Sequence, residues 1–323
     1  MKRAARGKST TASKKQKTAA DPEKEFDDFF ENLSGNEVES LKFVGNGGKS
    51  ELHVGLKSKK PCVLIFADSN VKLDRNDNSK PAFSYFPKRK PATSKDLPIL
   101  SKTEAGKTEK QMISKYFQSI IEKSADFLKT IDISSKNFPF SSTNIKNCKN
   151  LEILKVYQNG SNVNLGDCGF LSEETLFKIT GKISIHGVSL DGELLDFEKM
   201  KAKRVSCNQV TGSVGDVISN YLNKFEDNNI ENVIEHVDLE MVGEESERDS
   251  DDEEDYAYQT YCDKFENKLH EDFENLVGGY ETVRKPVLTE DECCFEIANE
   301  THQIEINCEG NNFNMSKVER EDF

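Results

Sequence analysis

The stretch Leu151-Glu-Ile-Leu154-Lys-Val156-Tyr-Gln-Asn159 decides how this chain is read. Apolar residues stand at Leu151, Leu154 and Val156, with Asn159 three places on. The 154/156 alternation is that of a strand with one buried face. Val38, Leu41, Phe43 and Asn46 repeat the same spacing. Outward from this stretch, short apolar strands recur at Ile131-Asp-Ile133, Ile183-Ser-Ile185, Val205-Ser-Cys207 and Val237-Asp-Leu239. The residues equivalent to Leu154 (Ile131, Ile183, Val205, Val237) give successive intervals of 23, 29, 22 and 32 residues.

This is the strand pattern of a leucine-rich repeat, whose units usually run 20–29 residues. Two intervals fit comfortably, one sits at the limit and one is too long. Ordinary strand–helix units that match by chance are the competing reading. Five roughly spaced strands alternating with helical segments favour an α/β fold, an irregular leucine-rich-repeat-like solenoid of alternating strands and helices. Helical faces between strands support it: Ile113, Phe117, Ile120 and Ile121 on one, and Val214, Val217, Ile218, Tyr221, Leu222 and Phe225 on another, with Ser213 and Asp216 as a capping box.

The remaining chain divides by composition. Residues 1–20 form a basic tail without aromatic residues and with no large aliphatic one except Met1, expected to be disordered. Residues 21–70 open with Phe26, Phe29, Phe30 and Leu33 on one helical face and continue into strands, including Cys62-Val-Leu-Ile-Phe-Ala67. Residues 71–110 carry four of the eight prolines and ten Lys or Arg with sparse apolar residues, which reads as a linker or long loop. Residues 111–239 are the repeat-like region. Residues 240–260 begin with ten Asp or Glu and a single Arg by residue 255, a solvated disordered insert by composition. Residues 261–318 hold a short helix and a closing hairpin, Cys294-Phe-Glu-Ile297 against Gln303-Ile-Glu-Ile-Asn-Cys308.

The net charge is −14, yet the first seventeen residues hold seven Lys or Arg and no acid. Beyond residue 20, 37 Lys and Arg face 58 Asp and Glu. That acidic body repels phosphate, so nucleic acid is a poor partner and basic proteins are favoured ones. Lys2-Arg3, a ten-residue spacer and then Lys14-Lys15-Gln16-Lys17 match a bipartite nuclear import signal, and Lys88, Arg89 and Lys90 form a second candidate. An import receptor is therefore an expected partner and the nucleus the expected address, with the cytoplasm as the alternative if the tail only solubilises. Ser246 and Ser250, each followed by acids, fit acid-directed phosphorylation.

Eight cysteines without a Cys-x-x-Cys pair read as reduced thiols of an intracellular, soluble protein. No apolar run reaches membrane-spanning length. Adjacent Cys293 and Cys294 point to opposite faces of a strand, which argues against zinc binding with His302 and Cys308. Ala105-Gly-Lys-Thr108 ends like a phosphate-binding loop, but Ser101 occupies the place of its first glycine. The five histidines show no metalloprotease or hydrolase spacing. No catalytic, cofactor or metal motif is complete, and the expectation is a non-enzyme without a cofactor.

The C-terminal half, about residues 125–318, adds an order of features. After the L-x-x-L strand and a cysteine-bearing strand come Ser219-Asn-Tyr-Leu222-Asn-Lys-Phe225, Asn229-Ile-Glu-Asn-Val233, Phe273-Glu-Asn-Leu-Val-Gly-Gly279 and the hairpin from Cys294 to Ile306. This order resembles the F-box-associated region of the nematode F-box protein family. Phe225 stands where that family tends to have Trp, and the adaptor-docking F-box itself is not recognised in the sequence. The resemblance implies a protein-recognition surface without an evident link to ubiquitin ligation. In a solenoid, strand positions between the core-facing residues would form a concave face, with Glu152, Lys155 and Tyr157 contacting the partner. The alternative is an acidic nuclear chaperone or scaffold in which the 240–255 run binds basic partners such as histones.

Overall fold

One strand, β1 (Val38–Asn46), hydrogen-bonds on both sides and so joins two differently built halves of a single sheet. The computed structural model describes residues 21–33, 37–46, 49–57, 61–67, 69–75, 99–158, 170–212, 216–217, 220–221, 234–242, 282–288, 292–298, 302–309 and 312–319. The architecture is mixed α/β: a large, mostly-strand sheet with few helices, and the sheet does not close.

On one side of β1 lies an antiparallel meander of β2 (Lys49–Leu56), β3 (Cys62–Ala67), β4 (Asn70–Asp74) and β5 (Leu100–Thr103). On the other, β1 continues into parallel strands β6 (Thr130–Ser134), β7 (Ile153–Tyr157), β8 (Lys182–His186), β10 (Arg204–Thr211) and β11 (His236–Val242). The two-residue β9 (Leu190–Asp191) adds to the end of β10. A second antiparallel meander ends the sheet, in the order β11, β15 (Asn312–Glu319), β14 (His302–Glu309), β13 (Glu292–Ala298) and β12 (Thr282–Leu288).

The parallel strands pair without stagger, and this sets the core. Leu41, Ile131, Leu154, Ile183, Val205 and Val237 stand side by side, with Met315 completing the row. A neighbouring row crosses eleven strands, from Leu100 through Leu73, Leu64, Leu52, Phe43, Ile133, Val156, Ile185, Cys207 and Leu239 to Phe313. Every residue in both rows is buried. Side chains alternate across a strand, so both rows point to the same face and the intervening positions to the other.

Apolar residues from the connections cover that face. Helix α2 (Glu109–Ser124) buries Met112, Ile113, Tyr116, Phe117, Ile120 and Ile121. Thr108 caps it, its hydroxyl accepting from Gln111 N while Gln111 Oε1 accepts from Thr108 N. The Gly-Lys-Thr sequence thus serves as a left-handed turn at Gly106 (φ +76°) followed by a helix cap. Phe138 meets Phe43, Phe117, Phe140 and Phe170 with ring centroids 4.9–5.8 Å apart. Helix α1 (Pro22–Glu31) runs along edge strand β5 and buries Phe26 against Tyr116. Short helix α3 (Glu173–Lys178) adds Leu176, and the segment before β10 adds Leu195, Phe197 and Met200.

The proposed 71–110 linker needs correction at both ends. Val71 and Leu73 lie in β4, Leu100 in β5, and α2 starts at Glu109. Two alternating apolar residues, or one, are too short a pattern to stand out among lysines and prolines; burial in the sheet supplies what local pattern does not. The proposed helix over 214–225 is described only at 216–217 and 220–221, which are helical. The basic tail at 1–20, the linker centre at 76–98 and the stretch 243–281, with most of the acidic insert, lie outside the described residues.

Candidate functional site

The zero-stagger pairing that aligns the core also aligns the alternate residues on the other face, which the described residues leave uncovered. Across β7, β8, β10 and β11 the adjacent positions are Lys155, Ser184, Ser206 and Asp238, and one step along are Tyr157 and His186. These side chains form a network. The Tyr157 hydroxyl lies 3.1 Å from Ser184 Oγ, and Ser184 Oγ lies 3.1 Å from His186 Nε2. His186 Nε2 is 3.2 Å from Ser206 Oγ, which donates to Asp238 Oδ2 at 3.3 Å. The Tyr157 and His186 rings stack at 5.0 Å and 7°.

Proton counting gives one self-consistent assignment of donors and acceptors. A carboxylate only accepts, so the single Ser206 hydrogen goes to Asp238. Ser206 Oγ can then only accept from the imidazole, which makes His186 the Nε2–H donor. Burial is the largest influence on His186 and lowers its pKa; Asp238 raises it, Lys182 lowers it and Glu240 raises it, with a net downward shift. The ring is therefore neutral at pH 7.

This connectivity differs from that of a serine hydrolase. There the imidazole takes the hydroxyl proton and the carboxylate holds the far ring nitrogen. Here the carboxylate holds the serine proton and the imidazole donates toward the same oxygen. The group is built to hold five polar side chains in fixed places: Ser184 is buried, Ser206 and His186 half-buried, and Tyr157 is 41% exposed.

Backbone geometry pins its far end. Gly187 has φ +72°, and a Cβ there would lie 1.6 Å from the Gln158 carbonyl oxygen. Gln158 N donates to His186 O at 2.9 Å and Gly187 N donates to Asn208 Oδ1 at 2.6 Å. Next to Asn208 the chain bulges at Gln209 (φ 60°), which returns Val210 to the core face.

Of the residues expected to contact a partner, Lys155 and Tyr157 share this face. Glu152 does not join them. It precedes β7, follows the alternation of Leu154 and Val156, and pairs with Lys129 at 2.8 Å at the sheet's rim. The strand begins at Ile153, two residues after the repeat pattern's Leu151, so the position after Leu151 belongs to the rim. That rim holds a shallow depression of about 440 Å³ around half-exposed Phe127, lined by Glu39, Lys57, Lys129, Lys149 and Glu152 among others. Its charges largely neutralise one another, through Lys129–Glu152 and Lys149–Asp126 (3.1 Å).

Ser184, Ser206 and Asp238 were not singled out from sequence, and His186 reads there as a structural histidine of a strand. The signal was present for the first three: Ser184, Ser206 and Asp238 each directly follow one of the equivalent apolar residues, which places them in one row once the strands pair in register, and His186 stands two residues beyond Ser184. Lys2, Arg3, Lys14, Lys15, Lys17, Lys88, Arg89, Lys90, Ser246 and Ser250 lie outside the described residues. Cys148 and Cys207 are buried thiols whose pKa burial pushes up to about 12, which keeps them unreactive. Among the described residues no group of three or more His, Cys, Asp or Glu is placed to hold a metal, and no helix is long and apolar enough to cross a membrane. No family model, curated protein or solved structure matches the chain.

Proposed function

We propose that this chain is a non-enzymatic protein–protein interaction module, akin to the substrate-recognition part of F-box proteins, and that its parallel strands act as a leucine-rich-repeat-like solenoid. The uncovered sheet face takes the partner, with Lys155 and Tyr157 at its centre. The observation that carries this reading is the asymmetry of the sheet. One face buries unbroken apolar rows, while the other presents a hydrogen-bonded polar network around an exposed aromatic. Exposed Tyr on a rigid support contributes contact area at low entropic cost. The order of a cysteine-bearing strand, helical residues at 216–217 and 220–221, a further strand and a late antiparallel hairpin supports the family likeness.

The test is site-specific photocrosslinking in cells, with a benzophenone side chain replacing Tyr157 or, as a control on the other side of the molecule, Lys146. A discrete protein adduct from position 157 that is missing from position 146 is expected. Adducts from both positions alike, or from neither, overturn the reading.

Asp238 and Glu240, exposed on β11 where the acidic run begins, favour one alternative, an acidic chaperone for basic partners such as histones. Deleting residues 243–255 then abolishes histone binding, whereas the face reading keeps the crosslinked partner. The nuclear address belongs to the same proposal. Replacing Lys14, Lys15 and Lys17 with Ala in a fluorescent fusion removes nuclear accumulation; an unchanged distribution leaves the tail a solubilising one.

A further inference from the structure

Charge is sorted across the uncovered face, and the sorting runs perpendicular to the strands. On β7, β8 and β10 the face carries Lys155, Lys182 and Arg204. Lys182 and Arg204 are paired in register. On β11 and β14 it carries Asp238, Glu240 and Glu305, and β15 between them sets Asn314 beside Asp238, Asn312 beside Glu240 and Ser316 beside Glu305. Beyond β7 the cationic side ends at Asp132 of β6, which stands in register beside Lys155 and pairs with Lys42 at 3.6 Å. Glu51 likewise faces His53 at 3.4 Å on β2. Three cations thus stand beside three carboxylates, and the His186–Ser206–Asp238 chain lies on the seam.

Building on the proposed recognition role, we infer that this face takes a peptide segment of segregated charge. The segment crosses the strands with acidic residues over β7, β8 and β10 and basic residues over β11, β15 and β14. Strands lie about 4.8 Å apart, so Lys155 and Asp238, in register three strands apart, are separated by about 14 Å. An extended segment spans this in about four residues. The spacer is short and lies over the Ser206–Asp238 contact between β10 and β11, while the stacked Tyr157 and His186 rings of β7 and β8 offer a flat, partly apolar platform beneath the acidic end. Like charges placed against either flank repel, so the pattern selects one order of charge blocks over mixed sequences of the same composition.

The experiment uses the full chain and two fluorescein-labelled peptides of identical composition. One has three Glu, a Gly-Ser-Gly spacer and three Lys; the other alternates Glu and Lys around the same spacer. Fluorescence anisotropy at low salt is expected to show the block peptide binding about tenfold more tightly, with the difference lost at about 1 M salt. The pairs K182E/R204E and D238K/E240K each remove the preference. Combining all four substitutions keeps net charge, reverses the order of the flanks and restores it. Equal affinity for the two peptides, no binding of either, or failure of the fourfold variant to recover overturns the inference. Urea midpoints that match the parent confirm that each variant is folded. If crosslinking from position 157 succeeds while the peptides are not distinguished, the charge rule falls alone. If crosslinking fails, the recognition face falls with it.

Discussion

The two faces of the parallel strands differ in what makes them. The core face is written locally: Ile131 and Ile133, Leu154 and Val156, Ile183 and Ile185 each alternate within one strand, and any register that buries them serves hydrophobicity equally well. The uncovered face depends on register. Tyr157, Ser184, His186, Ser206 and Asp238 come from four strands, and a shift of one pair by two residues would leave the core apolar while dispersing the network. Substitutions should therefore separate cleanly, with stability lost from the first face and local electrostatics from the second.

The largest effect is expected at Phe138, where four other rings meet at 4.9–5.8 Å. Phe138→Ala removes a buried aromatic and leaves a cavity between Phe43 and Phe117, costing about 3–5 kcal/mol in urea unfolding. Tyr157→Ala on the opposite face should cost under about 1 kcal/mol. A loss at Tyr157 as large as that at Phe138 would mean that the uncovered face is not a surface.

Gly187 tests the hinge between the faces. Its positive φ and the closeness of the Gln158 carbonyl leave no room for a side chain. Gly187→Ala should cost about 1–3 kcal/mol from backbone strain alone, more once the Gln158 clash is relieved by moving the strand end. The Tyr157–His186 stack should loosen with it, visible as a changed Tyr157 NMR environment. An unchanged stack in a destabilised variant would show that Gly187 secures the core only.

Glu104 supplies the acid-sensitive part of the core face. Burial alone raises its carboxyl, but hydrogen bonds from Lys115 (2.6 Å), Lys107 (2.9 Å) and Tyr116 (2.8 Å) outweigh this and bring it to about 2 from an ordinary 4.5. A depressed carboxyl contributes stability that is complete above its unfolded value and fades as the pH falls toward its folded one. Between about pH 4.5 and 2 the parent should lose this increment, whereas Glu104→Gln should lack it throughout and be about 1–3 kcal/mol weaker at pH 7. Parallel acid profiles for the two proteins would remove Glu104 from the account.

What the sequence disclosed follows the same division. The strands at 131, 154, 183, 205 and 237, the helical face at Phe26 and the late hairpin were legible, because each repeats its period within one element. Strands β4 and β5 were not, since Val71, Leu73 and Leu100 acquire meaning only when Leu64 lies beside them. Thr108 was weighed as part of a nucleotide loop, although Thr-Glu-Lys-Gln is itself a capping-box sequence. The polar network was hidden for the most general reason. Ser184 and His186 of β8 and Ser206 of β10 are unremarkable residues, and only pairing brings them beside one another and beside Tyr157 of β7 and Asp238 of β11.

The finest distinction lies within that network, between a hydrogen bond and a charge. Asp238→Asn keeps an oxygen that can accept from Ser206 and removes the negative charge that raises the His186 pKa. If Asp238 acts on the imidazole through its field, the His186 midpoint followed by NMR moves down, further below the ordinary histidine value. Because Asp238 is exposed, the unfolding midpoint should shift by less than about 0.5 kcal/mol equivalent. A midpoint that stays in place would mean that solvent screens Asp238 from the ring, and that the seam holds its geometry through hydroxyls alone. One that rises would require the Ser206 bond, not the charge, to have been restraining protonation. The downward shift alone, without a change in stability, is the behaviour of a face whose charges are arranged for what approaches it.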